Sequence, residues 1–156
     1  MAFQKVEGLA RTGGLNAGVF DALTRASRPA PSVKDGEATR VEIDLRRQVL
    51  LYWTPKGLTR VLNISTGSGQ RYCVAGKCEL AVTPKGTFRI ERKIDGNRVA
   101  ALGTLYHPMY FSGGVAIHGS PSVPGQPASH GCARIPMYAA VSFFHQVAVG
   151  TAVYVL

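Results

Sequence analysis

Of the residues able to form covalent intermediates, the cysteine at position 132 has the most informative neighbours. It stands in Ala128-Ser129-His130-Gly131-Cys132-Ala133-Arg134-Ile135-Pro136, and another histidine, His118, follows Val115-Ala116-Ile117 twelve residues before His130. A thiol is a weak nucleophile until it loses its proton, so a working cysteine needs an imidazole to accept that proton and hold the thiolate. His118 is the natural base. Gly131 lets the backbone pass close to a substrate, and the adjacent amides of Gly131 and Cys132 are candidates to receive the negative oxygen of a tetrahedral intermediate. The chemistry indicated is acyl transfer through a cysteine. Singly, these residues have plainer uses, since a buried cysteine usually packs as a small hydrophobe and a strand histidine usually makes a structural hydrogen bond. Their joint spacing carries the reading.

A different chemistry would use His118, His130 and Cys132 as three zinc ligands with one open position. The single residue between His130 and Cys132 fits that geometry poorly, and no metal or cofactor is expected. His107, before Pro108 in a predicted loop, and His145, on a predicted closing helix, have no comparable company and are expected to be structural.

The elements that must position this set are mostly strands. Val115–Ser120 reads as a strand whose period of two puts Val115 and Ile117 on one face and His118 on the other, facing a cleft if the apolar pair faces the core. The proline-stiffened stretch 121–127 is long enough to bring the Cys132 segment back beside it. Upstream, Val41, Ile43 and Leu45 alternate with Glu42 and Asp44, predicting a half-exposed strand, and Gln48–Trp53 is nearly all apolar, predicting a buried one paired with it. Pro55-Lys56-Gly57 turns into a third strand over 58–65. Thr66-Gly67-Ser68-Gly69 reads as a flexible loop, Thr83-Pro84-Lys85-Gly86 as a turn, and Thr87–Glu91 as another strand. After Pro136, the spacing of Ala140, Phe143, Phe144 and Val147 predicts a helix, ended by Gly150. Residues 152–156 close the chain as a buried strand. Eighteen Gly and nine Pro spread along the chain agree with many turns and short strands, so the expected fold is mostly β.

Residues 1–26 differ: a Gly13-Gly14 break separates two short helical stretches, the second with Asn16 as a possible cap before Val19, Phe20 and Leu23. Residues 27–39 lack periodicity and read as a linker, placing the start of the catalytic unit near Arg40. The formal charge of +9 favours polyanionic surroundings, but the basic residues are scattered and carry no nucleic-acid-binding pattern. No stretch approaches the roughly 20 apolar residues of a membrane span, and no export signal is visible in residues 1–30. Cys73 and Cys78 flank a possible hairpin turn, and are either a disulfide or two separate half-buried thiols.

The string His118-Gly119-Ser120, with Ser129-His130-Gly131-Cys132-Ala133-Arg134, resembles the signature of L,D-transpeptidases, which cross-link bacterial peptidoglycan. Ser65-Thr66-Gly67, Thr83-Pro84-Lys85-Gly86-Thr87-Phe88 and Gly150-Thr151-Ala152-Val153-Tyr154 resemble further parts of that family, over residues 40–156. The resemblance implies a β-sandwich or β-roll catalytic fold with one or two short helices. It implies that Cys132 attacks the third-residue carbonyl of a stem peptide, releases D-alanine, and passes the acyl group to a side-chain amine of a second stem. His118 would be base and then acid, oriented by a backbone carbonyl near Gly119. Ser129 and His130 would shape the loop, and Arg134 would meet charged groups of the substrate or brace the site. Tyr110 and Phe111 are candidates to line the donor groove, with core packing as the alternative. Carbapenems are expected as covalent inhibitors, and an extracytoplasmic location is expected because peptidoglycan lies there. Residues 1–26 resemble the end of a helical peptidoglycan-binding module, so a wall-binding module without catalysis is a competing class. Within the enzyme class, water as acceptor would make an L,D-carboxypeptidase.

Overall fold

The computed structural model describes residues 1–156. The fold is mostly β. Strands β1 (Arg40–Asp44), β2 (Val49–Thr54), β3 (Gly57–Asn63), β6 (Gly86–Arg89) and β12 (Ala152–Val155) form one five-stranded sheet in the order β3-β2-β1-β12-β6. A second sheet has the order β11-β10-β9-β7, from β7 (Arg92–Lys93), β9 (Gly103–Ser112), β10 (Val115–Ser120) and β11 (Ala133–Pro136), with β8 (Asn97–Ala100) also pairing with β9. Pairing is antiparallel except for β1 with β12 and β10 with β11. Strands β4 (Arg71–Val74) and β5 (Lys77–Leu80) form a separate hairpin.

One core joins both sheets and helix α3 (Met137–Gln146): Val41, Ile43 and Leu50 from the first sheet meet Met109, Phe111, Ile117 and Ile135 from the second, with Ala140, Phe143 and Val147 at the helix. Burying each larger side chain of this kind contributes about 1.5–3 kcal/mol. The apolar spacing read after Pro136 is the face that α3 lays on the core, with Pro136 at the N-cap position. Phe111 is wholly buried here, so its expected place in a substrate groove is corrected: it packs edge-on against Phe88 at 5.6 Å.

Strand β1 is buried on both faces, not half-exposed. It lies between β2 and β12, and its outer face is covered by the segment before it. Glu42 is fully buried because Arg40 Nε donates to it at 2.7 Å and the Ser32 amide at 2.9 Å. Buried charges of this kind survive only as paired, hydrogen-bonded sets. Likewise, His107 and Pro108 lie inside β9 rather than in a loop. The β9–β10 register shifts there and His107 takes φ +47°, a bulge that accommodates a proline within a ladder. His107 is structural: its Nδ1 accepts from the Gly96 amide at 3.2 Å, and its ring packs on Tyr106 and Phe144. His145 is exposed on α3.

Helices α1 (Ala2–Val6) and α2 (Ala17–Arg25) sit at the N-terminus, with Asn16 Oδ1 accepting the Val19 amide at 3.0 Å. Residues 27–39 form no helix or strand. The N-terminal segment docks on the sheets through Lys5, whose buried ammonium donates to the carbonyls of Gln48 at 2.9 Å and Ile64 at 2.8 Å. Burial, with the Arg11 guanidinium adding to it, pulls the Lys5 pKa from 10.5 to about 8. No helix is long and apolar enough to cross a membrane.

Candidate active site

Strand β10 carries His118 and β11 begins one residue after Cys132, and their parallel pairing sets His118 directly beside Arg134. The free thiol of Cys132, His118, Ser129, His130, Gly131 and Arg134 line one pocket of about 530 Å³. His118 is nearly buried, and its Nδ1 donates to the Gly119 carbonyl at 2.8 Å, in the tautomer that leaves Nε2 free to accept a proton. Gly119 has to be glycine: a Cβ there would come within 2.7 Å of the Ala140 Cβ and 2.9 Å of the Tyr106 ring. Helix α3 therefore seats the carbonyl that aims the imidazole.

The sulfur accepts from the Ala116 amide at 3.4 Å and packs beside Leu105, Tyr110 and Ala116. Burial pushes the thiol pKa up, opposed by the Ala116 amide and the Arg134 guanidinium. Burial likewise pushes His118 down, opposed by its bond to Gly119 and helped by Arg134. Both shifts are towards the uncharged forms.

The loop before Cys132 is held from several sides. Ser129 Oγ donates to the Cys132 carbonyl at 2.6 Å and accepts from the Gly131 amide at 3.0 Å. This corrects one half of the expected oxyanion site, because the Gly131 N–H is already engaged. The Cys132 N–H has no acceptor within the chain. Gly131 is needed for its φ of +144° and for the closeness of the Val82 carbonyl, 3.1 Å from where a Cβ would sit. Residues 66–69 are expected to be a flexible loop; instead Thr66 and Ser68, with Ser65 at the end of the preceding segment, form a rail under the Cys132 loop. Ser65 exchanges backbone hydrogen bonds with Arg134 at 3.0 and 3.1 Å, Thr66 O accepts the Ala128 and Ser129 amides, and the Ser68 amide donates to Ser129 O. Thr83 Oγ1 ties rail to loop, accepting from the Gly67 amide at 2.9 Å and donating to the Gly131 carbonyl at 2.5 Å.

Tyr110 is also corrected: it is buried behind Cys132, with the Arg92 guanidinium 4.0 Å over its ring, and does not line the pocket. The aromatic wall comes from a residue the sequence reading passed over, Tyr72 on β4. Its ring meets His130 edge-on at 4.9 Å, and its hydroxyl donates to Glu79 of β5 at 3.3 Å. The available signal was the neighbouring cysteine. Cys73 and Cys78 lie directly opposite in the β4–β5 register and are bonded to each other, stiffening the hairpin whose Tyr72 and Glu79 line the pocket. No group of three or more His, Cys, Asp or Glu side chains is gathered closely enough to hold a metal ion.

A family model described as the L,D-transpeptidase catalytic domain matches residues 38–155. Among solved structures, an L,D-transpeptidase from Xylanimonas cellulosilytica aligns with a TM-score of 0.92 and 37% identity, over 99% of this chain and 77% of that one. An L,D-transpeptidase from Mycobacterium smegmatis aligns at 0.61 and 21%, over 78% of this chain and 59% of its own. A cysteine-to-serine variant of the Enterococcus faecium enzyme aligns at 0.62 and 23%, over 77% of this chain and 50% of its own. No curated protein matches. With the family model spanning both the His118 strand and the Cys132 loop, this chain belongs to the L,D-transpeptidase catalytic-domain family.

Proposed function

We propose that the protein is a peptidoglycan L,D-transpeptidase with Cys132 as nucleophile. The observation that carries this is the single pocket holding a free thiol, an imidazole aimed through Gly119, and an unpaired guanidinium at Arg134. In the first half-reaction Cys132 passes its proton to His118 Nε2 as sulfur attacks the third-residue carbonyl of a tetrapeptide stem. The oxygen that gains charge is received by the Cys132 N–H. The bond to the terminal D-alanine breaks as His118 returns the proton to the leaving amine. In the second half-reaction an amine of another stem attacks the thioester, loses its proton to His118, and displaces the sulfur, which is reprotonated. The product is a 3→3 cross-link.

The Arg134 guanidinium suits a carboxylate of the stem. A neighbouring family member is described in complex with imipenem, which supports the expectation of a covalent carbapenem adduct here. The Cys73–Cys78 bond supports an extracytoplasmic location, since such bonds persist in oxidising compartments. The test is incubation of the protein and of Cys132→Ser with a disaccharide tetrapeptide. D-alanine release and carbapenem adduct formation by the parent alone are expected, with dimer formation identifying transpeptidation. Release of D-alanine by the serine variant at the parental rate would remove Cys132 from the reaction.

A further inference from the structure

We infer that Glu79, on the β4–β5 hairpin, recognises the ammonium group of the acceptor stem, and so biases the acyl-enzyme towards an amine rather than water. This rests on the acyl-transfer reading above.

The pocket over Cys132 is lined by one carboxylate, Glu79, and one guanidinium, Arg134, and neither is in an ion pair. Of the nine acidic residues, Asp21, Glu37, Glu42 and Asp44 are taken up by arginines, while Glu79, like Glu7, Asp35 and Glu91, is in no ion pair; Glu79 is the one of these that lines the pocket. The hydrogen-bond partner of Glu79 is the Tyr72 phenol, a neutral group, at 3.3 Å. Tyr72 in turn rests edge-on against His130, two residues from the nucleophile. A site offering separate positive and negative groups, both unspent, suits a ligand carrying an ammonium and a carboxylate.

The placement is fixed. Tyr72 lies directly across from Glu79, and the Cys73–Cys78 bond is one register position further along. Ala75 and Gly76, at φ +48° and +78°, make the tight two-residue turn whose twist matches a hairpin. A slip of one residue, which would swing Glu79 to the outer face, is thereby blocked. An acceptor ammonium approaching a protein of charge +9 meets overall repulsion, and a carboxylate at the pocket reverses the field where it matters. Holding the amine near the thioester raises its effective concentration, and water gains nothing from the same carboxylate.

The chemistry balances without another reactant. The docked ammonium releases one proton to solvent to become the free amine. The amine forms the new C–N bond as the C–S bond breaks, and its second proton passes through His118 to the Cys132 sulfur.

The experiment measures the ratio of cross-linked dimer to hydrolysed tripeptide with the disaccharide tetrapeptide as donor and acceptor. In Glu79→Gln the ratio is expected to fall by roughly fivefold or more through a higher KM for the acceptor, with Glu79→Asp restoring part of it. Carbapenem adduct formation by each variant reports that the pocket is assembled. On the parent, which needs no substitution, raising salt from 0.05 to 0.5 M lowers the same ratio. An unchanged ratio in an adduct-forming Glu79→Gln, or a salt-independent ratio in the parent, overturns the inference. Hydrolysis by the parent with no dimer at all overturns it while leaving the Cys132 half-reaction standing. No D-alanine release by the parent removes both.

Discussion

The loop carrying Cys132 and the hairpin carrying Tyr72 and Glu79 face the same pocket but are held in opposite ways. The loop is built into the body: Ser65, Thr66, Ser68 and Thr83 bind its backbone, and β11 continues it into the second sheet. The hairpin belongs to neither sheet, is largely exposed, and is ordered by its own turn and disulfide together with one aromatic contact to His130. Groups that must keep fixed geometry through a transition state sit where many bonds over-determine them. Glu79, which we propose meets the acceptor, sits on a small part stiff in itself and lightly attached, the kind of element that moves at low cost.

The largest way to break this comparison is at His118. His118→Gln is expected to slow acylation by about 10²- to 10⁴-fold, read as carbapenem adduct formation over time. In the parent, the acid limb of that rate falls below the ordinary histidine value of 6.5, because burial first and Arg134 also favour the neutral base. Only the neutral base accepts the thiol proton, so the rate is retained to lower pH and lost as pH drops through the depressed pKa. Arg134→Gln removes a cation and should move that limb to higher pH; a limb that stays put would show that the guanidinium does not act on the imidazole.

Next in size is the tie at Thr83. Thr83→Val removes the hydroxyl linking Gly67 N–H to Gly131 O and leaves both without that partner, at a cost of about 1–3 kcal/mol. The unfolding midpoint in denaturant and the adduct rate should fall together if rail and loop are one unit. The smallest effect is expected at the hairpin. Replacing both Cys73 and Cys78 by Ser closes no large loop and should change global stability by at most ~2 kcal/mol. Hydrogen exchange should rise over 71–80 and stay unchanged over 129–134. Equal deprotection of both segments would mean that hairpin and loop are not separable.

Much of this was legible in the chain. The His118 and Ser129–Cys132 spacing picked out residues that the structure gathers around one pocket, and the alternation in β10 placed the imidazole on the cleft side, because these signals are local. Long-range partners produced the differences. Thr66–Gly69 reads as flexible from its small residues, yet Gly67 is there because a Cβ would strike the Ala81 carbonyl and the Thr83 amide. Glu42 and Asp44 alternate as a solvated face would, and only the arrival of Arg40, Ser32 and β12 shows that face to be covered. Tyr110 and Phe111 stand close to His118 in sequence, but the bulge in β9 and the depth of that strand turn them inward. Tyr72 and Glu79 lie far from Cys132 along the chain, and nothing local ties a hairpin to a loop some fifty residues on.

Gly119 has a consequence that reaches into the helix. Its missing side chain allows Ala140 to press against the very peptide whose oxygen orients the imidazole. Core volume at one turn of α3 is thus converted into the direction in which a ring nitrogen points. Under the proposed acyl transfer, a methyl group added at Ala140 would be felt as a misdirected proton as well as a change in packing, and the hydrophobic interior of this domain would be part of its acid–base apparatus.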